Sequence, residues 1–124
     1  MTVSIIIAVK ELNDNLKRCL EQCINLDYPD FEIIVFPDEP FSYLHEKVRI
    51  VPTGNLTPPR KRDFALQEAK GEILAFIDDD AYPEKDWLKN AISHFKDEEV
   101  GAVCGPAVTA PDQDLRQRAS GAVY

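Results

Sequence analysis

No apolar run in these 124 residues approaches the roughly 18 needed to cross a bilayer. The first residues carry no basic segment leading into a signal-like stretch. A cytoplasmic polypeptide is therefore expected, with any membrane association left to a parent protein. Lysine and arginine are outnumbered by acidic residues, 14 against 22, and no basic run offsets the net charge of −8. That excludes a nucleic-acid partner, whose binding depends chiefly on cations meeting phosphates. Glycine is scarce, and neither a Gly-x-Gly-x-x-Gly turn nor a Walker-type loop follows the first apolar segment. Dinucleotide and simple NTPase sites are thereby excluded. Cys19, Cys23 and Cys104 form an odd set, and His45 and His94 lie far from them at no zinc-site spacing. Reduced thiols packed in a core are the expected reading.

What is present is globular. Hydrophobic residues reach 44% and charged residues 29%, which argues against a disordered tail, and the length suits one domain with a modest core. Val3 to Val9 is a β-branched run of the kind found in strands buried on both faces. Leu12, Leu16, Cys19, Leu20, Cys23 and Ile24 then recur at helical spacing. After the turn at Tyr28-Pro29-Asp30, Phe31 to Phe36 reads as a second strand and Val48 to Val51 as a third, ended by Pro52. Thr57-Pro58-Pro59 predicts a helix start with a capping hydroxyl, and Gly71 its stop. Glu72 to Ile77 predicts a fourth strand, Trp87 to Phe95 a helix, and Val100 to Cys104 a short fifth strand. Trp87 is expected in the core. Alternating strands and helices imply an α/β fold: a mostly parallel open sheet with helices on both faces.

In such sheets ligands bind at the carboxyl ends of the strands. Lys10-Glu11 follows the first strand, Pro37-Asp38-Glu39 the second and Asp78-Asp79-Asp80 the fourth, so parallel strands bring these carboxylates to one edge. Two carboxylates about 4 Å apart repel by roughly 4 kcal/mol at an effective dielectric near 20. Strand alternation puts Asp78 and Asp80 on one side, a pair able to hold a hard cation such as Mg²⁺ or Mn²⁺ that keeps positions open for phosphate. Arg60, Lys61 and Arg62 fall in the first turn of the predicted third helix, against its dipole, which an anion between them relieves. At least one of the arginines is expected to face phosphate, and Lys61 to be solvated surface charge.

The order of these segments resembles family 2 glycosyltransferases of the GT-A (Rossmann-like) fold over nearly the whole chain. The opening strand with Lys10-Glu11, the strand Glu32 to Phe36 with Asp38 at its end, and Arg62-Asp63 eight residues before Gly71 are similar to family segments. Ala69-Lys70-Gly71-Glu72, then an apolar strand, Asp78-Asp79-Asp80, Pro83 and Trp87-Leu88 complete the likeness. Departures are Ala8 where proline is usual, and Pro37 and Glu39-Pro40 around Asp38. The resemblance implies a nucleotide-diphosphate sugar as donor, a UDP-sugar foremost, and an acceptor hydroxyl attacked with inversion. Ala8, Val9, Glu11, Asp38, Arg62, Asp78 and Asp79 would bind the nucleotide sugar, and Asp80 the Mn²⁺ or Mg²⁺. It also implies one donor-binding domain over 1–124, truncated before the acceptor half, with self-association through the exposed face. It names no catalytic base: Asp112 and Asp114 lie in the right direction, but their surroundings match no family motif.

Three other classes fit less well. A receiver-type signalling domain needs an acidic pair after its first strand and a lysine after its fifth, and an Asp-x-Asp hydrolase needs its nucleophile after the first. A nucleotidyltransferase needs a Gly-rich basic loop after strand one. None of these is present.

Overall fold

The computed structural model describes residues 1–105. Two compact units divide the chain, Met1–Asn90 and Ala91–Tyr124. The first carries four parallel strands: β1 (Val3–Ala8), β2 (Phe31–Phe36), β3 (Val48–Ile50) and β4 (Ile73–Phe76). Their order is β3-β2-β1-β4, so the chain builds outward from β1 to β3 and then returns to the other side of β1. That return is the switch point at which open parallel sheets form a crevice.

The continuous apolar runs of β1 and β2 follow from burial on both faces. Ile6, Ile34 and Phe36 share one face and pack with Ala65, flanked by Val51, Phe64, Ala69 and Leu74. Val3, Ile5, Ile7, Ile33 and Val35 point the other way and are completely buried as well. The right-handed crossover from β1 to β2 assigns that second face to α1 (Asp14–Ile24), whose Leu16, Cys19, Leu20 and Cys23 are buried. The side chain of Asn13 caps α1 by accepting from the Leu16 N–H at 2.8 Å.

The helix expected over 57–71 is shorter and broken. It forms α2 (Pro58–Asp63) and α3 (Ala65–Glu68), joined through Phe64. Thr57 makes no side-chain cap bond, and Pro58 and Pro59 remove the first two N–H groups of the helix, leaving only that of Arg60 within a cap's reach. Gly71 is not the helix stop, since Ala69 already leaves the helical conformation. With α2 only six residues long, Arg60, Lys61 and Arg62 fall in its last turn, where cations suit the dipole. The helix-dipole conflict expected from the sequence does not arise.

A polar network closes the amino-terminal edge of the sheet. Ser4 Oγ donates to Glu32 Oε1 at 2.7 Å and accepts from the Gly71 N–H at 2.8 Å. The Lys70 N–H also donates to Glu32 Oε1, and Arg49 links Glu32 to Glu68. Burial alone would raise the Glu32 pKa, but the Lys70 N–H, the Ser4 hydroxyl and Arg49 outweigh it and hold the carboxyl below its usual value. A lowered pKa contributes stability above the usual carboxylate pKa and loses it as pH falls through the folded value. The stability gap between the wild type and Glu32→Gln should therefore narrow as pH drops from about 6 to about 3. Urea titrations at both ends check this, and a constant gap would remove Glu32 from the acid sensitivity.

The fourth helix, α4 (Trp87–His94), spans the unit boundary, with Leu88 buried and Trp87 half-buried. Beyond it the second unit is described only to residue 105. Val100–Cys104 forms no strand and Cys104 is exposed, contrary to expectation, because that segment pairs with no described strand. A turn at Asp97, with the Val100 N–H on its carbonyl at 3.1 Å, precedes the segment. Asp112 and Asp114 lie outside the described residues. Among the described residues no helix is long and apolar enough to cross a membrane.

Candidate nucleotide cleft

The segments leaving β1 and β2 are tied together at the carboxyl edge of the sheet. The Val9 N–H donates to the Phe36 carbonyl at 3.2 Å, and the Asp38 N–H to the Lys10 carbonyl at 3.0 Å. The loop after β3 joins them through the Gly54 N–H on the Asp38 carbonyl at 2.9 Å, with Gly54 at φ 76°. A cleft of about 440 Å³ opens here, within the range of small-molecule sites. Ala8, Val9, Lys10 and Glu11 line it from the segment after β1, Asp38 from that after β2, and Asn55, Leu56, Pro58 and Lys61 from the stretch after β3. Asn13 and Asp79 complete it.

The sequence thus places five of its expected nucleotide-sugar residues, Ala8, Val9, Glu11, Asp38 and Asp79, around one cavity. Arg62, Asp78 and Asp80 stand outside that lining. Arg62 pairs with Asp78 at 3.1 Å across an exposed surface, a contact of small energetic weight. The three aspartates do not continue the alternation of β4. The strand ends at Phe76, and the Ala81 N–H bonds to the Asp78 carbonyl at 3.1 Å, making a turn. Within it Asp78 meets Arg62, Asp79 accepts from Asn13 at 3.4 Å, and Asp80 is exposed. Cys19 Sγ lies 3.6 Å from the Asp78 carbonyl, so the buried face of α1 supports the turn.

Lys61 overturns its sequence-based expectation. It is 2% exposed, not solvated. Its ammonium donates to the Val9 carbonyl at 2.7 Å and forms an ion pair with Asp38 Oδ1. The Arg60-Lys61-Arg62 run reads as one charged patch, yet Lys61 lies four residues before buried Ala65 and eight before Ala69. That helical spacing was the available signal for an inward-facing side chain. Arg60 is exposed.

The described residues contain no group of three acidic, His or Cys side chains that could cage a metal ion. The donor set does fit a hard cation held by one or two carboxylates and completed by phosphate oxygens, the usual arrangement for Mg²⁺. Asp80 is exposed next to Asp79, so its carboxylate is open to such an ion.

A parallel sheet with this switch point and acidic carboxyl edge is the GT-A architecture of nucleotide-sugar transferases. The mannosyltransferase PcManGT from Pyrobaculum calidifontis, solved with GDP-Man and Mn²⁺, superposes with a TM-score of 0.70 at 23% identity. The match covers 84% of this chain and 36% of that one. A crystal structure of Staphylococcus aureus TarS gives 0.67 at 21% identity, covering 90% and 40%. The chain belongs to glycosyl transferase family 2, whose sequence profile matches residues 4–122. In sequence it is 30% identical over 104 residues to the poly(ribitol-phosphate) beta-N-acetylglucosaminyltransferase TarS of S. aureus, covering 73% of this chain and 18% of that protein. To the glycosyltransferase AglE of Haloferax volcanii it is 26% identical over 116 residues, covering 83% and 38%. The chain spans well under half the length of these relatives.

Proposed function

We propose that the cleft binds the nucleotide of a nucleotide-diphosphate sugar, and that the sugar passes to an acceptor hydroxyl with inversion. The observation that carries this reading is the charge arrangement at the carboxyl edge. Glu11, Asp38 and Asp79 line the cleft together with Lys10, and the buried ammonium of Lys61 is already committed to Asp38. An edge with this excess of carboxylates accepts neutral donor groups of a base or ribose and favours a diphosphate that brings a divalent cation with it. TarS has been solved with UDP-GlcNAc and with UDP, and PcManGT with GDP-Man and Mn²⁺, which supports the same ligand class here.

In this reading Glu11 and Asp38 accept hydrogen bonds from the base or ribose, with the Ala8–Val9 backbone as the wall behind. Asp78 and Asp79 serve the ribose side. Arg62, held only by an exposed pair with Asp78, can exchange that partner for a phosphate. Asp80 would hold Mn²⁺ or Mg²⁺ together with the diphosphate oxygens. When bound, that ion supplies Lewis-acid stabilisation of the charge on the departing diphosphate. Inversion requires a general base to take the acceptor proton, and the described residues present none at the cleft that is free of a donor-binding role.

Calorimetric titration of UDP and GDP, each with and without Mn²⁺, tests the reading on the wild type and on Asp80→Ala. One nucleotide should bind at least about tenfold more tightly with the metal, and the variant should lose that gain. Binding of neither nucleotide, or an unchanged metal gain in Asp80→Ala, would count against it.

A further inference from the structure

We propose that Lys61 is a positioning residue of the cleft, holding Asp38 so that its second carboxylate oxygen faces the bound nucleotide. The proposal rests on the nucleotide-site reading above and adds to it a residue that acts through Asp38.

The side chain of Lys61 is 3% exposed and that of Asp38 15%, so the lysine is the enclosed member and the aspartate the one that looks into the cleft. From α2, the ammonium reaches the Val9 carbonyl just past β1 and Asp38 just past β2. One cation thereby fixes three segments that are distant in sequence. The backbone of Asp38 is held independently, its N–H by Lys10 and its carbonyl by Gly54. Among the described residues Oδ2 takes no hydrogen bond, and Asp38 lines the cavity.

A buried ion pair is weak evidence for stability, because well-packed apolar residues commonly do as well in its place. What such a pair supplies is a defined orientation, and a ligand-binding group gains from orientation paid for in advance. Charge points the same way. Glu11, Asp79 and Lys10 share the cleft with Asp38, and the Lys61 ammonium offsets the charge of Asp38 where an anionic ligand must enter.

The test is a double-mutant cycle on nucleotide affinity, read by calorimetry well below the melting temperature of every variant. The probe is whichever of UDP and GDP the wild type binds more tightly, with Mn²⁺ present. Lys61→Met should weaken binding about tenfold, in the range lost when an orienting partner is removed. Asp38→Asn should weaken it comparably, and the double variant should bind no worse than Asp38→Asn alone. Lys61→Arg, which keeps the charge, should recover most of the loss. Lys61→Gln replaces Lys61→Met if the latter does not fold. Affinity within twofold of wild type for folded Lys61→Met, or two losses that multiply, would overturn the positioning role while leaving the nucleotide site intact. A wild type that binds neither nucleotide defeats the site reading, and the role of Lys61 falls with it.

Discussion

Replacing Asp38 by alanine should cost about 3 kcal/mol of folding stability, well above the effect of an ordinary surface substitution. The cause is the lysine left behind. Lys61 is 2% exposed, and with Asp38 gone its ammonium keeps only the Val9 carbonyl as a partner. Removing one member of a buried pair typically costs about 3–5 kcal/mol, and the low end applies here because the cleft admits water on the Asp38 side. Lys61→Met should cost less. It strands Asp38, but that carboxylate can turn to the solvent in the cleft, and the new side chain fills the lysine stem's space with apolar atoms. Urea unfolding of both variants measures the asymmetry. Equal costs, or a cost below about 1 kcal/mol for Asp38→Ala, would mean that water reaches the ammonium and that the pair is not enclosed.

Why that pair escaped the sequence reading while the sheet edge did not has a physical explanation. Burial on both faces leaves a strand no choice of residue but apolar and β-branched, so β1 and β2 are visible as runs, with ends within a residue or two of those observed; β4, only partly buried, is legible from its apolar composition alone. Once the strands are parallel, whatever follows them must gather at one edge, which placed Glu11, Asp38 and Asp79 together. Nothing comparable constrains a loop. The turn at Asp78–Ala81 sends successive aspartates to Arg62 and Asn13, partners that strand alternation cannot specify. Lys61 was misread for a related reason: a buried charge depends on a partner from another element, and a local run of three cations hides which of them turns inward. The segment 100–104 failed differently. A short apolar stretch becomes a strand only with a neighbour to pair with, and no described strand accepts it.

Gly71→Ala should be as damaging as the loss of Asp38, about 3 kcal/mol and on the order of 10 °C in melting temperature. A Cβ at this position would lie 2.6 Å from the Ser4 backbone nitrogen, 2.7 Å from Ser4 Oγ and 2.8 Å from the Val3 carbonyl carbon. Two of those atoms are backbone in β1, whose Ser4 is paired with Glu32 on one side and Leu74 on the other, so β1 cannot yield. The displaced partner is β4, held at that end by Glu72 and Ile73 N–H groups on the Thr2 carbonyl. Since β4 carries Asp78, Asp79 and Asp80 just past its far end, its displacement should also weaken metal-dependent nucleotide binding. Gly101→Ala is the control, its added methyl meeting no atom of the described residues, with an expected change within about 0.5 kcal/mol. Gly54→Ala is intermediate, meeting no atom but placing alanine at φ 76°, for about 1 kcal/mol. Thermal melts of the three variants rank them. If Gly71→Ala melts with Gly101→Ala, the close approach of β4 to β1 at Ser4 is wrong, and with it the path by which strand packing sets the position of the acidic turn.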